Sequence, residues 1–497
     1  MKPIKKYIVA LSTAFALLTS CSSFLEENPE DRFVIGNFYA SESDAKAAVN
    51  AIYQQLYSIY DRNMFMLNAL VADDEKNGLG MPNQFLQDLE YLRFNSENTF
   101  IRDMWRNNYS GISRANTAIV NIPSVTMNET LKARLVGEAK FLRGLFYFNL
   151  VRFFGDVPLI LKLERISDAM LPRTPATEVY QQIISDLSDA AETLPVSYGS
   201  ADMGRATAGA ARILLGKVYL TIGEYQRSAD VLAEVITHEG EYGYSLHEHY
   251  GDNWKPETET GKEAVLYIEY MDPPGRGNNA MVLCGPKYSI PGGFAVLGIN
   301  NSNEADIPTM DLYNQFADND ERKAATFRTD FISLIDGSVH RSSIPLFVKY
   351  WEEGERIGGN SDANIHVLRY ADALLLYAEA LNEVGRTDEA LTQLNRVRKR
   401  AFNSDEANYG ALSKEAFREA VWQERRLELA FEGHRWFDLV RTGRLVQRMK
   451  DHAALEASLA EANKIEIGQR VQDHMVLMPI PQREIDLNPL LTQNTGY

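Results

Sequence analysis

Apolar residues recur every three or four positions along most of this chain, and each such run predicts a helix with one buried face. The first is residues 41–59, where Ala45, Val49, Ile52 and Leu56 share a stripe and Ser41 with Asp44 supplies an N-terminal cap. Further runs cover residues 100–121, 128–154, 176–193, 207–222 and 224–236. Between 239 and 364 the helical period fades into Gly, Pro, Asn, Asp and aromatics, with strand-like runs at 264–270 and 345–350. A shorter irregular stretch, 73–98, interrupts the N-terminal helices. Long loops on a rigid helical frame are where binding usually sits, because the frame holds them while their sequence stays free to suit a ligand.

Two helix pairs carry small residues where neighbouring helices must approach closely. Gly216, Tyr219, Gly223, Tyr225 and the pair Ser228-Ala229 mark one; Ala378, Leu381, Gly385 and Ala390, with Leu394 and Val397 on the second helix, mark the other. A looser copy runs from Gly144 through Tyr147 to the helix around Tyr180. The spacing follows the tetratricopeptide-repeat code, although helical hairpins sharing only a turn glycine would satisfy it too. Both readings give a mostly α scaffold of helical hairpins. The expected organisation is a leader (1–20), a lipidated N-terminus and tether (21–40), a first scaffold part (41–238), a loop-rich insertion with short strands (239–364) and a second scaffold part (365–497), folding as one domain.

The N-terminus changes the picture from a generic helical protein to an exported one. Lys2, Lys5 and Lys6 precede a twelve-residue apolar run, 7–18, which is too short to span a bilayer and reads as a leader to be removed. Leu18-Thr19-Ser20-Cys21 resembles a lipobox, so Cys21 is the expected lipidation site; an ordinary secretory cleavage fits the small residues as well. Several acyl chains anchor stably where one is marginal. The only other cysteine is Cys284, so the mature chain has no intramolecular disulfide. A net charge of −17, more negative once the leader's lysines are gone, opposes binding to nucleic acid.

The densest cluster of chemistry is Glu424-Arg425-Arg426-Leu427-Glu428-Leu429-Ala430-Phe431-Glu432-Gly433-His434-Arg435-Trp436-Phe437-Asp438-Leu439. It reads as a helix ending at Gly433 and restarting, with Arg425, Glu428 and Glu432 spaced to pair. Two carboxylates also suit a glycosidase, but charges alternating every three or four residues on a helix are more often ion pairs. His247 and His249 lack a third ligand at metal spacing, and Arg322 stands where a calcium loop begun by Asp318 and Asp320 needs its next acid. There is no phosphate-cradling glycine loop, nucleophile elbow or zinc-protease motif. No metal, cofactor or catalytic residue is assigned.

The segment 424–439 resembles the signature of the SusD/RagB family of outer-membrane nutrient-binding lipoproteins. So do Leu368-Arg369-Tyr370-Ala371-Asp372 continuing to Ala380, and the C-terminal run Met478-Pro479-Ile480-Pro481, Glu484, Asn488-Pro489, Gln493-Asn494 and Gly496-Tyr497. Smaller matches lie at 105–116, 138–147 and from Pro308-Thr309 through Asp320 and Arg322. The resemblance implies a tetratricopeptide-rich fold, capture of oligosaccharides or other nutrients at the cell surface, and no catalysis. It also implies a partner of the SusC type, a TonB-dependent transporter barrel. Glu26 and Glu27 look like the surface-export signal of such lipoproteins, while Ser22-Ser23-Phe24-Leu25 departs from its tightest form.

Sugar recognition calls for flat aromatic faces and planar hydrogen-bonding side chains. The irregular segments offer Asn83 and Phe85 in the first, and Trp254, Tyr288, Phe294 and Trp351 in the second, as ligand-contact candidates. Trp105 and Tyr350 match family positions and read as structural. Three functions stay open: a glycan- or nutrient-binding lipoprotein, a secreted carbohydrate-active enzyme, and a helical-repeat scaffold that binds protein.

Overall fold

The principal helices form where the apolar period predicts them from 41 to 236 and around Gly385, others follow in the signature segment and after it, and side-chain caps set the starts of five. The principal helices are α1 (Glu42–Tyr60), α2 (Thr99–Asn121), α3 (Glu129–Phe154), α4 (Ala176–Thr193), α5 (Ala208–Thr221), α6 (Tyr225–Ile236), α7 (Tyr370–Glu383), α8 (Thr387–Phe402), α9 (Lys414–Glu428), α10 (Arg435–Arg441) and α11 (Leu445–Ser458). Ser41 and Asp44 close a capping box on α1, and Asn98, Asn128, Thr207 and Ser413 accept from the first free N–H groups of α2, α3, α5 and α9. Each such cap contributes about 1 kcal/mol. The computed structural model describes residues 38–61, 63–78, 82–162, 165–271, 276–299, 301–352, 360–458 and 465–497. Cys21, the leader and most of the tether lie outside them.

Consecutive helices pack as antiparallel hairpins, α2 on α3, α3 on α4, α5 on α6 and α7 on α8. Small residues set the closest approaches: a Cβ on Gly216 would meet Leu232 of α6 at 2.5 Å, and one on Gly144 would meet Leu187 of α4 at 3.2 Å. Gly385 turns the α7–α8 hairpin at φ +83°. One apolar cluster runs through both helical regions, and Trp436 stacks on Phe153 of α3 at 5.3 Å where they meet. Among the described residues no helix is long and apolar enough to cross a membrane.

The strands lie in the irregular segments and pair antiparallel as three two-stranded sheets among the described residues. β1 (Glu75–Lys76) pairs with β3 (Ile307–Pro308), β2 (Ala264–Ile268) with β6 (Ile365–Arg369), and β4 (Phe327–Ile332) with β5 (Val339–Phe347). The expected strand at 345–350 is only the end of β5, and β4 has no counterpart in the sequence pattern. A nine-residue strand with burial on irregular positions shows no clean two-residue alternation. The insertion also holds short helices such as Ala280–Cys284 and Glu321–Thr326, too brief for a period to register.

A network of buried charges welds the frame together and corrects one sequence-based pairing. Arg425 does not pair with Glu428 or Glu432; it reaches Asp372 of α7 (2.8 Å) and Asp438 (3.1 Å). Helix α9 ends at Glu428, and the turn to Gly433 at φ +72° swings Glu432 away from the helical stripe. Glu428 instead meets Arg322 (3.1 Å), Arg369 (2.7 Å) and Arg400, while Glu432 meets Arg369 (2.8 Å) and Lys349 (2.9 Å). Arg369, the last residue of β6, also holds Glu263 at 2.6 Å. Despite burial, these cations pull the carboxyls of Glu263 and Glu432 down to about 2. His434 is pushed down to about 3 by burial and by Lys217, so its ring is neutral and Nδ1 accepts from the Lys217 ammonium at 3.1 Å.

Candidate functional site

The two irregular segments meet at the short β1–β3 ladder. Glu75 lies opposite Pro308 and Lys76 opposite Ile307. Thr309 donates its N–H to the Asp74 carbonyl (2.9 Å) and its hydroxyl to that of Asp73 (2.8 Å). Asp73 and Asp74 are in turn held by Arg426 and Arg435, so the junction is bolted to the signature segment. Gly78 then passes so close to the second segment that a Cβ there would sit 1.8 Å from the Glu304 carbonyl oxygen. No residue with a side chain fits at that crossing.

Glu304 organises the adjacent loop. It is 3% exposed, sits at φ +45°, and its carboxylate accepts backbone N–H bonds from Lys287 (2.7 Å), Tyr288 (3.1 Å) and Ser289 (2.9 Å), together with the Ser289 hydroxyl. Three successive N–H groups on one carboxylate fix the backbone of this loop. Tyr288 stands on it with 64% of its surface exposed, and the Lys287 ammonium lies 5.5 Å from the ring centroid.

The residues that follow Tyr288 enter a second apolar cluster, separate from the main core. It is built from Ile290, Leu297, Ile299, Ile307, Phe331, Leu346 and Val348, with Phe294 and Trp351 half-buried against it. Trp351 meets Phe331 edge to face at 5.4 Å. The β4–β5 hairpin is tied down by Ser343 N–H to the Ser289 carbonyl (2.9 Å) and Leu334 N–H to the Leu297 carbonyl (2.8 Å). The structure therefore gathers Phe294 and Trp351 against one small cluster, although they are 57 positions apart in sequence, and Tyr288 stands exposed two residues before Ile290 of that cluster.

The other candidates lie elsewhere. Trp254 is a correction: it is 6% exposed in the main core, edge to face with Tyr250 at 4.8 Å, and the Lys349 ammonium lies 4.4 Å from its ring centroid. Its position in the buried charge network, as the apolar cover over a desolvated cation, removes it from any ligand surface. Asn83 caps the helix Gln84–Glu90, its Oδ1 accepting from the N–H groups of Phe85 (2.9 Å) and Leu86 (3.4 Å). Phe85 is half-buried against the main core. Trp105 and Tyr350, which read as structural in the sequence, are 3% and 2% exposed.

Sequence reasoning missed Gly78 and Glu304, the residues that set the crossing of the two segments and hold the Tyr288 backbone. Glu304 acts 15 to 17 positions away from the N–H groups it binds, a spacing with no helix or strand signature. Two larger open clefts lie on the helical frame: one of about 690 Å³ beside Tyr109, Ile160 and Leu487, and one of about 380 Å³ lined by Tyr53, Tyr57 and Tyr267. The acids considered for glycosidic chemistry face neither. Glu428 and Glu432 are buried, and their carboxylates are occupied by arginine and lysine.

This helical frame, with its loop platform and its arginine-rich signature turn, is that of a SusD-like protein. Residues 340–497 match the model described as the SusD family, and residues 23–220 match one described as "Starch-binding associating with outer membrane". The chain belongs to the SusD/RagB family. It is 29% identical to SusD-like protein P2 of Formosa agariphila over 527 residues, covering 99% of this chain and all of that one. Among solved structures, a laminarin binding SusD-like protein aligns at 28% identity and TM-score 0.76, covering 92% of this chain and 100% of the other. A SusD superfamily protein from Parabacteroides distasonis aligns at 26% identity and TM-score 0.78, covering 92% and 99%.

Proposed function

We propose that this protein is a glycan-capturing lipoprotein, anchored through Cys21 and exposed at the cell surface, that hands its ligand to a SusC-like TonB-dependent transporter barrel. The observation that carries the binding reading is Tyr288: a large aromatic ring, mostly exposed, held on a loop pinned by the buried Glu304 carboxylate. An aromatic face pre-set in this way loses little entropy on meeting the apolar C–H face of a sugar. The laminarin-binding relative supports glycan as the ligand class, and the family description supports a place at the outer membrane. Phe294 and Trp351 extend the surface, and Asn83 stays a candidate at the rim of the first segment.

Native affinity electrophoresis against a panel of polysaccharides, laminarin included, tests the reading. Tyr288→Ala should weaken the retained glycan by about 1 to 4 kcal/mol, the range for truncating an aromatic contact. Circular dichroism and the unfolding midpoint should be unchanged, because the ring packs on little. Retardation as strong as wild type would remove Tyr288 from the site, and release of shorter sugars by homogeneous protein would favour the enzyme.

The anchor and the partner have their own test. Cys21→Ala should leave a folded protein in the soluble fraction, and the barrel should co-purify with wild type from mildly solubilised outer membrane. Lipid confines both partners to one surface, so a modest intrinsic affinity suffices. Membrane recovery of the variant at the wild-type level after a high-salt wash would refute lipidation at Cys21, and absence of a barrel would refute the partner.

A further inference from the structure

Glu75 pairs with Pro308 in the β1–β3 ladder, and Asp306 is the residue immediately before β3, two positions from that partner. The carboxyls of Glu75 and Asp306 lie in hydrogen-bond contact with each other, and the residues are 6% and 1% exposed. Among the described residues, no N–H or O–H donor reaches either oxygen of Asp306 or Oε2 of Glu75. The other groups acting on the pair do not relieve it. Asp74 adds a like charge, and the buried thiol of Cys284 is itself pushed up by burial and by these two acids. Lys349 acts on Glu75, but its ammonium is already bound by Glu432 and the Ala430 carbonyl. Two buried carboxyls without an external donor satisfy each other only when at least one keeps its proton.

We propose that Glu75 and Asp306 are positioning residues, a proton-sharing latch that holds the Tyr288 segment against the first irregular segment. The functional half of this role rests on the proposed glycan binding at Tyr288. The latch sits where the two segments pair, Glu75 three residues before Gly78 on one side and Asp306 two residues after Glu304 on the other. Opening it releases the crossing at Gly78 and the Glu304 clamp together, and with them the backbone that carries Tyr288.

The direction of its pH dependence follows from the burial. Burial, with the neighbouring acid's charge, holds Glu75 well above the ordinary carboxylate range, and burial raises Asp306 to about 7. In an opened loop both groups return to about 4. The closed state thus binds more protons than the open one. Its advantage is complete below the open-state range and is lost as pH rises from there through about 7.

Hydrogen–deuterium exchange of the full protein, corrected for intrinsic rates and followed from pH 5 to 9 on peptides covering 73–78 and 282–306, reads the latch without any ligand. Wild-type protection should fall with rising pH by about tenfold per unit where one proton is bound only when closed, and by up to about a hundredfold where both are. Asp306→Asn supplies an amide donor that does not titrate, so its protection should be flat and should exceed wild type at pH 8; Glu75→Gln should behave alike. In parallel, laminarin retardation by wild type should weaken from pH 6 to pH 8, and that of Asp306→Asn should not. A flat wild-type profile overturns the latch, as does an unchanged slope in both variants, or closure that follows added calcium and its chelation in place of pH. If no polysaccharide binds while protection still falls with pH in wild type and stays flat in the variants, the latch stands and the glycan reading falls.

Discussion

Arg369→Met is expected to lower the unfolding free energy by about 3 to 5 kcal/mol, the cost of removing one partner from a buried ion pair and leaving the other uncompensated. Arg369 is 1% exposed and lies between three carboxylates, Glu263, Glu428 and Glu432. Methionine replaces the apolar stem but leaves those acids with Arg322, Arg400 and Lys349 alone. Urea denaturation followed by circular dichroism measures the loss, and a change below about 1 kcal/mol would show that the remaining cations suffice. Acid adds a second readout. Glu263 and Glu432 titrate near 2 in the folded chain, below the ordinary glutamate range. Their contribution to stability is therefore present above that range and lost as pH falls toward 2. The wild type should accordingly lose stability on acidification more steeply than Arg369→Met.

Trp254→Ala is expected to destabilise by a similar amount, about 3 to 5 kcal/mol, as for other buried large aromatics. Its ring fills the space between Tyr250 and Tyr350 and covers Lys349, whose ammonium burial has already lowered to about 8. Removing the ring leaves a cavity beside a desolvated cation and admits water to the charge network. Thermal or chemical unfolding should show the loss, whereas glycan retardation measured well below the midpoint should match wild type. The opposite pattern, normal stability with lost binding, would return Trp254 to the ligand surface. Tyr288→Ala provides the contrast, because there the binding changes and the midpoint does not.

These two tryptophan and tyrosine positions show where the sequence stops being informative. Both lie in the aperiodic insertion, both are aromatic, and neither has a local pattern that says which way it faces. Trp254 becomes core because Lys349, Glu432 and Arg369, far away in the chain, build a charge cluster that needs an apolar cover. Tyr288 becomes surface because Glu304 pins its backbone and leaves the ring outside the second cluster. The same limit applies to Glu428 and Glu432. Their helical spacing suggests a pair with Arg425, but the helix ends between them, and their partners come from β6, α8 and the insertion.

The helical frame needed no tertiary information. A 3.6-residue apolar period, the caps at Ser41, Asn98, Asn128, Thr207 and Ser413, and the glycines at 144, 216 and 385 are local or near-local constraints, so they are written in consecutive residues and are legible there. The class of protein was equally legible, because its signature residues build that frame. The meeting of the two irregular segments was not, since Glu75 with Asp306, Gly78 with Glu304, Glu304 with the Tyr288 backbone, and Trp351 with Phe331 are contacts across tens to hundreds of positions without periodicity. Burial and charge compensation decided them, and both are properties of the folded chain as a whole: a carboxyl or a ring acquires its role only when distant segments have closed around it.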